Sequence, residues 1–191
     1  GTSHAVDDGD RLPFAGFGEP AFTAVDSRTE RPRPPASTAD GRRLADVRTL
    51  AARSPLPGSG EEIRAIARAL NAADGSVRLG TEATEAAVRS VRELSRADIV
   101  VFATHGLMAR ETGVGEPALV FTPPPEPTLA DDGLLTASEA SGLTLTADWI
   151  ILSACNTAAA DGGAAGEGLS GLARSFLYAG ARNLLVTHWQ V

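Results

Sequence analysis

The chain has 191 residues, 43% of them hydrophobic, enough for the buried core of one domain. Its formal charge is −7 and all 17 basic residues are arginine, which excludes a Walker A phosphate loop and lysine Schiff-base chemistry and argues against a clustered basic face for nucleic acid. A single cysteine excludes an internal disulfide framework and a multi-cysteine zinc site. No apolar run approaches the roughly 20 residues that cross a bilayer, and the N-terminus has no charged-then-apolar signal, so a soluble, cytoplasmic protein without membrane contact is expected.

Residues 1–10 read as a disordered lead-in and 11–191 as one domain. The segment from Leu12 to Phe22 holds a first short strand ended by Gly18 and Pro20. Residues 26–43 are rich in Arg, Pro, Ser and Thr and read as a mobile surface loop. Pro57-Gly58-Ser59-Gly60 opens a helix over about Glu61–Asn71, with Ile63, Ile66, Ala67 and Leu70 at helical spacing and two glutamates in its first turn. A short strand at Val77–Leu79 precedes a second helix, Glu82–Ser95, whose stripe is Ala87, Val88, Val91 and Leu94.

Next comes a continuous apolar run from Asp98 that ends in Thr104-His105-Gly106, then an irregular stretch over 107–135 in which ALVF and GLL form a small hairpin. Thr136 and Glu139 have capping-box spacing for a short helix. A second apolar run, from Asp148, ends at Cys155. A Gly/Ala-rich loop (158–168), a helix over Leu169–Tyr178 capped by Gly180 and a strand from Asn183 complete the chain. Strand–helix alternation predicts an α/β fold around a mostly parallel sheet. The ending at Val191 reads as a domain with its C-terminal part missing.

Continuous apolar runs of this length fit strands buried on both faces. In open α/β sheets chemistry gathers beyond the carboxyl ends of strands, so two neighbouring parallel strands would bring His105 and Cys155 to one edge. An imidazole that takes the thiol proton makes a thiolate able to attack a carbonyl, and backbone N–H groups at Gly106 and Cys155 would receive the oxyanion. Packing roles for a lone cysteine and histidine stay open on this pattern alone. Ser153, Asn156 and Trp189 are candidate pocket residues, and His188 reads as a strand-end residue. Gly166–Gly171 fits G-x-G-x-x-G but lies well past its strand, which disfavours a dinucleotide site. Asp98, His105 and His188 lack metal-ligand spacing, and no metal is expected.

Taken together, FATHG, DDGLLTASE, IILSACNT and GEGLSGLARSFLYAGARNLLVTHWQV resemble the CHAT family, which is related to caspases and often fused to tetratricopeptide repeats. The likeness runs from about Pro13 to the end. It implies a caspase–haemoglobinase-like three-layer sandwich and a cysteine endopeptidase that needs no cofactor. His105 would be the general base, Cys155 the nucleophile, and the N–H groups of Gly106 and Cys155 the oxyanion hole. It also implies a protein or peptide substrate and a tetratricopeptide-repeat region in the same or a partner chain, with loops 26–45, 109–130 and 158–167 ordering on activation. The position of Ser153 is Gln in caspases and Asp in metacaspases; a neutral Ser predicts no charge selection from that side. The rival reading is a catalytically silent scaffold or interaction domain.

Overall fold

The computed structural model describes residues 11–22, 56, 58–90, 94–153 and 165–186. In chain order these form β1 (Leu12–Pro20), α1 (Ser59–Ala69), a 3-10 turn (Asp74–Ser76), β2 (Val77–Gly80), α2 (Glu85–Ser90), β3 (Ala97–Ala103) and β4 (Gly106–Leu107). There follow α3 (Ala109–Thr112), β5 (Ala118–Val120), β6 (Leu134–Thr136), α4 (Ala137–Ser141), β7 (Trp149–Leu152), α5 (Ala165–Tyr178) and β8 (Asn183–Val186). Five strands make a sheet in the order β2-β1-β3-β7-β8, every pairing parallel. The expected α/β architecture is therefore the observed one. β3 and β7 are neighbours, with Ile99 beside Trp149 and Phe102 beside Leu152.

Helices cover both faces. On one, α1 inserts Ile63 and Ala67 among Phe14, Val101 and Ala103. Alternation along β1 turns Phe14, Gly16 and Gly18 to this side and Ala15 and Phe17 to the other. The two glycines are what let α1 come so close. A Cβ on Gly16 or Gly18 would lie 2.6 or 2.5 Å from an Ile63 side-chain carbon. On the opposite face α2, α4 and α5 contribute Val88, Ala140, Leu172 and Phe176 to the larger core. Phe102 of β3 centres that core, its ring 5.4–6.1 Å from those of Phe17, Phe121 and Phe176.

A second, antiparallel sheet runs β4-β5-β6 and buries Leu107, Ala118, Val120 and Leu134. The expected ALVF/GLL hairpin is β5–β6, and β4 adds a strand that the sequence did not reveal. The capping box is formed: the Thr136 hydroxyl accepts the Glu139 N–H at 3.3 Å, and the Glu139 carboxylate accepts the Thr136 N–H at 2.9 Å. α5 closes as expected at Gly180 (φ 113°): Gly180 N–H donates to the Leu177 carbonyl and Ala181 N–H to that of Phe176. A Cβ there would meet the Leu145 carbonyl oxygen at 2.3 Å.

Two expectations are corrected. The helix expected over 82–95 spans Glu85–Ser90, with a turn at 94–96 and residues 91–93 outside the described set. The Thr84 hydroxyl accepts the Ala87 N–H at 3.0 Å and so caps the helix later than periodicity implied. The loop expected through Gly168 ends earlier, because α5 starts at Ala165. Gly166–Gly171 is thus helical backbone and not the strand-to-helix turn that cradles a dinucleotide.

Candidate active site

β3 delivers His105 to the carboxyl edge of the parallel sheet, two residues past Ala103. Its backbone is held by β5: the His105 carbonyl accepts the Val120 N–H at 2.9 Å, and the buried Thr104 hydroxyl donates to the Val120 carbonyl. The imidazole is partly buried with its centroid 6.1 Å from that of Phe22. Gly106 pairs with Leu119 and Leu107 with Ala118. Since His105 and Val120 are the hydrogen-bonded pair, antiparallel alternation makes Gly106–Leu119 the non-bonded one. The Gly106 N–H therefore points away from β5.

β7 reaches the same edge next door. Ser153, one residue past β7, donates its N–H to the Phe102 carbonyl at 2.9 Å and is only 7% exposed. Its hydroxyl lies 3.3 and 3.5 Å from the two carboxylate oxygens of Glu62, in the first turn of α1. Glu19, at the carboxyl end of β1 in the left-handed region (φ 50°), leans over the same turn: its carboxylate fills the space where Gly60 would carry a Cβ, 2.1 Å from that point. Neither glutamate stands out in the sequence as a neighbour of this edge. Cys155, Asn156, His188 and Trp189 lie outside the described residues, as does loop 26–45.

A buried ionic network braces this edge from behind. Glu85, fully buried at the start of α2, accepts the N–H groups of Asp132 and Gly133 at 3.0 and 3.1 Å. Arg89 bridges it to Glu139, at 2.5 and 2.7 Å. One guanidinium thus serves two carboxylates. Burial, and then the Glu139 charge, push Glu85 from the ordinary 4.5 up to about 7, against the pull of Arg89 and the Asp132 N–H. The 132–133 turn leads straight into β6, and β6 carries β5 and hence the clamp on His105.

The CHAT domain family model matches residues 3–191. The chain belongs to the CHAT family. That family is related to the caspase-like cysteine peptidases. No curated protein matches the chain. In this CHAT domain no cluster of three or more His, Cys, Asp or Glu among the described residues could hold a metal ion. No described helix is long and apolar enough to cross a membrane. A cavity of about 440 Å³ lies between α1 and β2, lined by Arg64, Arg68, Asp74 and Glu82 among others; of the described residues, His105, Gly106 and Ser153 do not line it.

Proposed function

We propose that the chain is a cysteine endopeptidase acting on a protein or peptide substrate. The observation that carries this reading is the adjacency of β3 and β7 in parallel register, because the chain runs on from these two strands to His105 and to Cys155. His105 takes the Cys155 thiol proton, and the thiolate attacks the carbonyl carbon of the scissile peptide. The N–H groups of Gly106 and Cys155 receive the developing oxyanion. His105 then gives its proton to the leaving nitrogen as the C–N bond breaks, leaving a thioester. Water, deprotonated by His105, attacks the thioester, releases the acid product and restores the thiol. The outward-turned N–H of Gly106 supports the oxyanion role. No cofactor takes part in these steps, and a tetratricopeptide-repeat region is a fitting partner for substrate delivery. Asn156 and Trp189 are assigned to the rim of the substrate cleft.

The test is covalent labelling of Cys155 by peptidyl electrophiles. His105→Ala is expected to slow labelling by about 100-fold or more, the scale of a lost general base. Cys155→Ala is expected to abolish peptide cleavage while leaving the melting curve in place. Cleavage that survives in Cys155→Ala removes the mechanism.

A further inference from the structure

We propose, resting on the peptidase reading, that Phe22 is a positioning residue for His105, a wall that holds the imidazole in the orientation from which it takes and returns a proton. The backbone alone leaves that orientation unfixed. The Val120 N–H grips the His105 carbonyl, and this sets where the Cα and Cβ stand. The imidazole still turns about two side-chain bonds, the first of them with three staggered wells. Phe22 stands beside it, with its ring centroid 6.1 Å from that of His105 and the two planes 37° apart. Phe22 also packs on the small core of Leu107, Ala118, Val120 and Leu134, so the wall has backing.

Phe22 is itself placed by the continuation of β5. The Thr122 hydroxyl accepts the Ala21 N–H at 2.8 Å and donates to the Gly80 carbonyl at 2.7 Å. The Thr122 N–H donates to the Ala83 carbonyl, also at 2.8 Å. Pro20 pairs with Gly80, so this one threonine ties the ends of β1 and β2 to the strand that clamps His105. Val120 and Thr122 are separated by a single residue of a planar-peptide chain. The grip on the His105 backbone and the grip on the segment that carries Phe22 therefore move together, and the imidazole keeps its distance from the wall. An aromatic wall also suits a base that must next act as an acid. Neutral imidazole packs against it as against any apolar surface, and imidazolium is attracted to its π face. A hydrogen-bonding group in that place would favour one protonation state, whereas a phenyl ring accepts both.

The experiment reads the contact and its effect separately in the 191-residue chain. The imidazole C–H resonances of His105, assigned by their loss in His105→Ala, are followed by NMR in the parent and in Phe22→Leu, Phe22→Tyr, Thr122→Val and Thr122→Ser. Labelling of Cys155 by one peptidyl chloromethyl ketone is timed in the same proteins over a range of probe concentrations. Phe22→Leu is expected to remove the ring-current shift from the imidazole and to slow labelling at saturating probe by about 10-fold, inside the roughly 100-fold that a small misplacement can cost. The probe concentration giving half the maximal rate should not move. Phe22→Tyr is expected to retain both the shift and the rate. Thr122→Val keeps Phe22 but removes its tether, and is expected to weaken both signals; Thr122→Ser should restore them. An imidazole shift that Phe22→Leu leaves unchanged overturns the contact. A shift that is lost while the rate holds overturns the positioning role and keeps the peptidase reading. Equal slowing in Phe22→Leu and Phe22→Tyr makes Phe22 a packing residue and overturns that role as well. Thr122→Val with both signals intact overturns the tether. Labelling that His105→Ala leaves unchanged overturns the peptidase reading and this inference with it.

Discussion

Gly18 shows how tightly single positions on β1 are set. A methyl group there would overlap the Ile63 side chain and also lie 2.8 Å from the Ala103 carbonyl oxygen, which is backbone and cannot swing aside. Gly18→Ala is expected to cost about 1–3 kcal/mol through overpacking, measurable by urea denaturation, whereas Gly75→Ala, with open space at its Cβ, serves as the neutral comparison. At this scale the sequence was uneven in what it disclosed. His105 was legible because it closes a continuous apolar run, a pattern visible within ten residues. Glu62 was not, because its partner Ser153 lies 91 positions away and a glutamate in a first helical turn already has a sufficient local reason in the helix dipole. Gly18 looked like a strand terminator, yet with Gly16 it is the close-approach surface for α1, which begins at Ser59.

Among elements, the joint of α2, the 132–133 turn and α4 responds to pH. The sign follows from Glu85 being pushed up to about 7. Between the ordinary 4.5 and about 7 the folded chain holds a proton that the unfolded chain has lost. This contribution to stability is fully present below 4.5 and disappears as pH rises through about 7. Asp131, raised by burial as well, adds in the same direction. Glu85→Gln keeps a carbonyl to accept the two N–H groups and removes the titration. The drop in melting temperature between pH 5 and pH 8 is therefore expected to be smaller in Glu85→Gln than in the parent, as read by calorimetry. An equal drop in both would mean that Glu85 does not titrate in this range. Element types were readable from periodicity, and boundaries were not. Thr84 caps α2 through one hydroxyl that disturbs no apolar stripe, and the glycines at 166 and 168, poor helix formers, hid the start of α5 at Ala165. β4 escaped notice because two residues carry no period, and only pairing with β5 makes them a strand.

Over the whole molecule the two edges of the parallel sheet have different characters. The carboxyl edge holds His105, Ser153, Glu19 and Glu62. The amino edge is tied by a ladder of charges, in which Arg11 pairs with Asp98 and Asp148, and Asp148 with Arg182. These residues stand just before or at the start of β1, β3, β7 and β8, so the ladder crosses four strands. Partly exposed pairs contribute about 0–1 kcal/mol each. Asp148→Asn loosens two at once and is expected to lower the melting temperature by about 2–4 °C, with the difference shrinking in 1 M salt. A salt-independent difference would assign Asp148 a packing role instead.

The interior place of β1, between β2 and β3, also has a history in time. Leu12 pairs with Ala97 and Gly16 with Val77, so neither neighbour of the first strand exists when that strand leaves the ribosome. At ordinary translation rates β3 follows on the order of ten seconds later. In the interval α1 is the apolar surface that arrives first, and the glycine-lined groove on β1 that receives Ile63 is the docking available before any sheet can form. A nascent chain with a blocked groove would wait for β3 with Phe14 uncovered, making the early α1–β1 contact a guard against aggregation during synthesis.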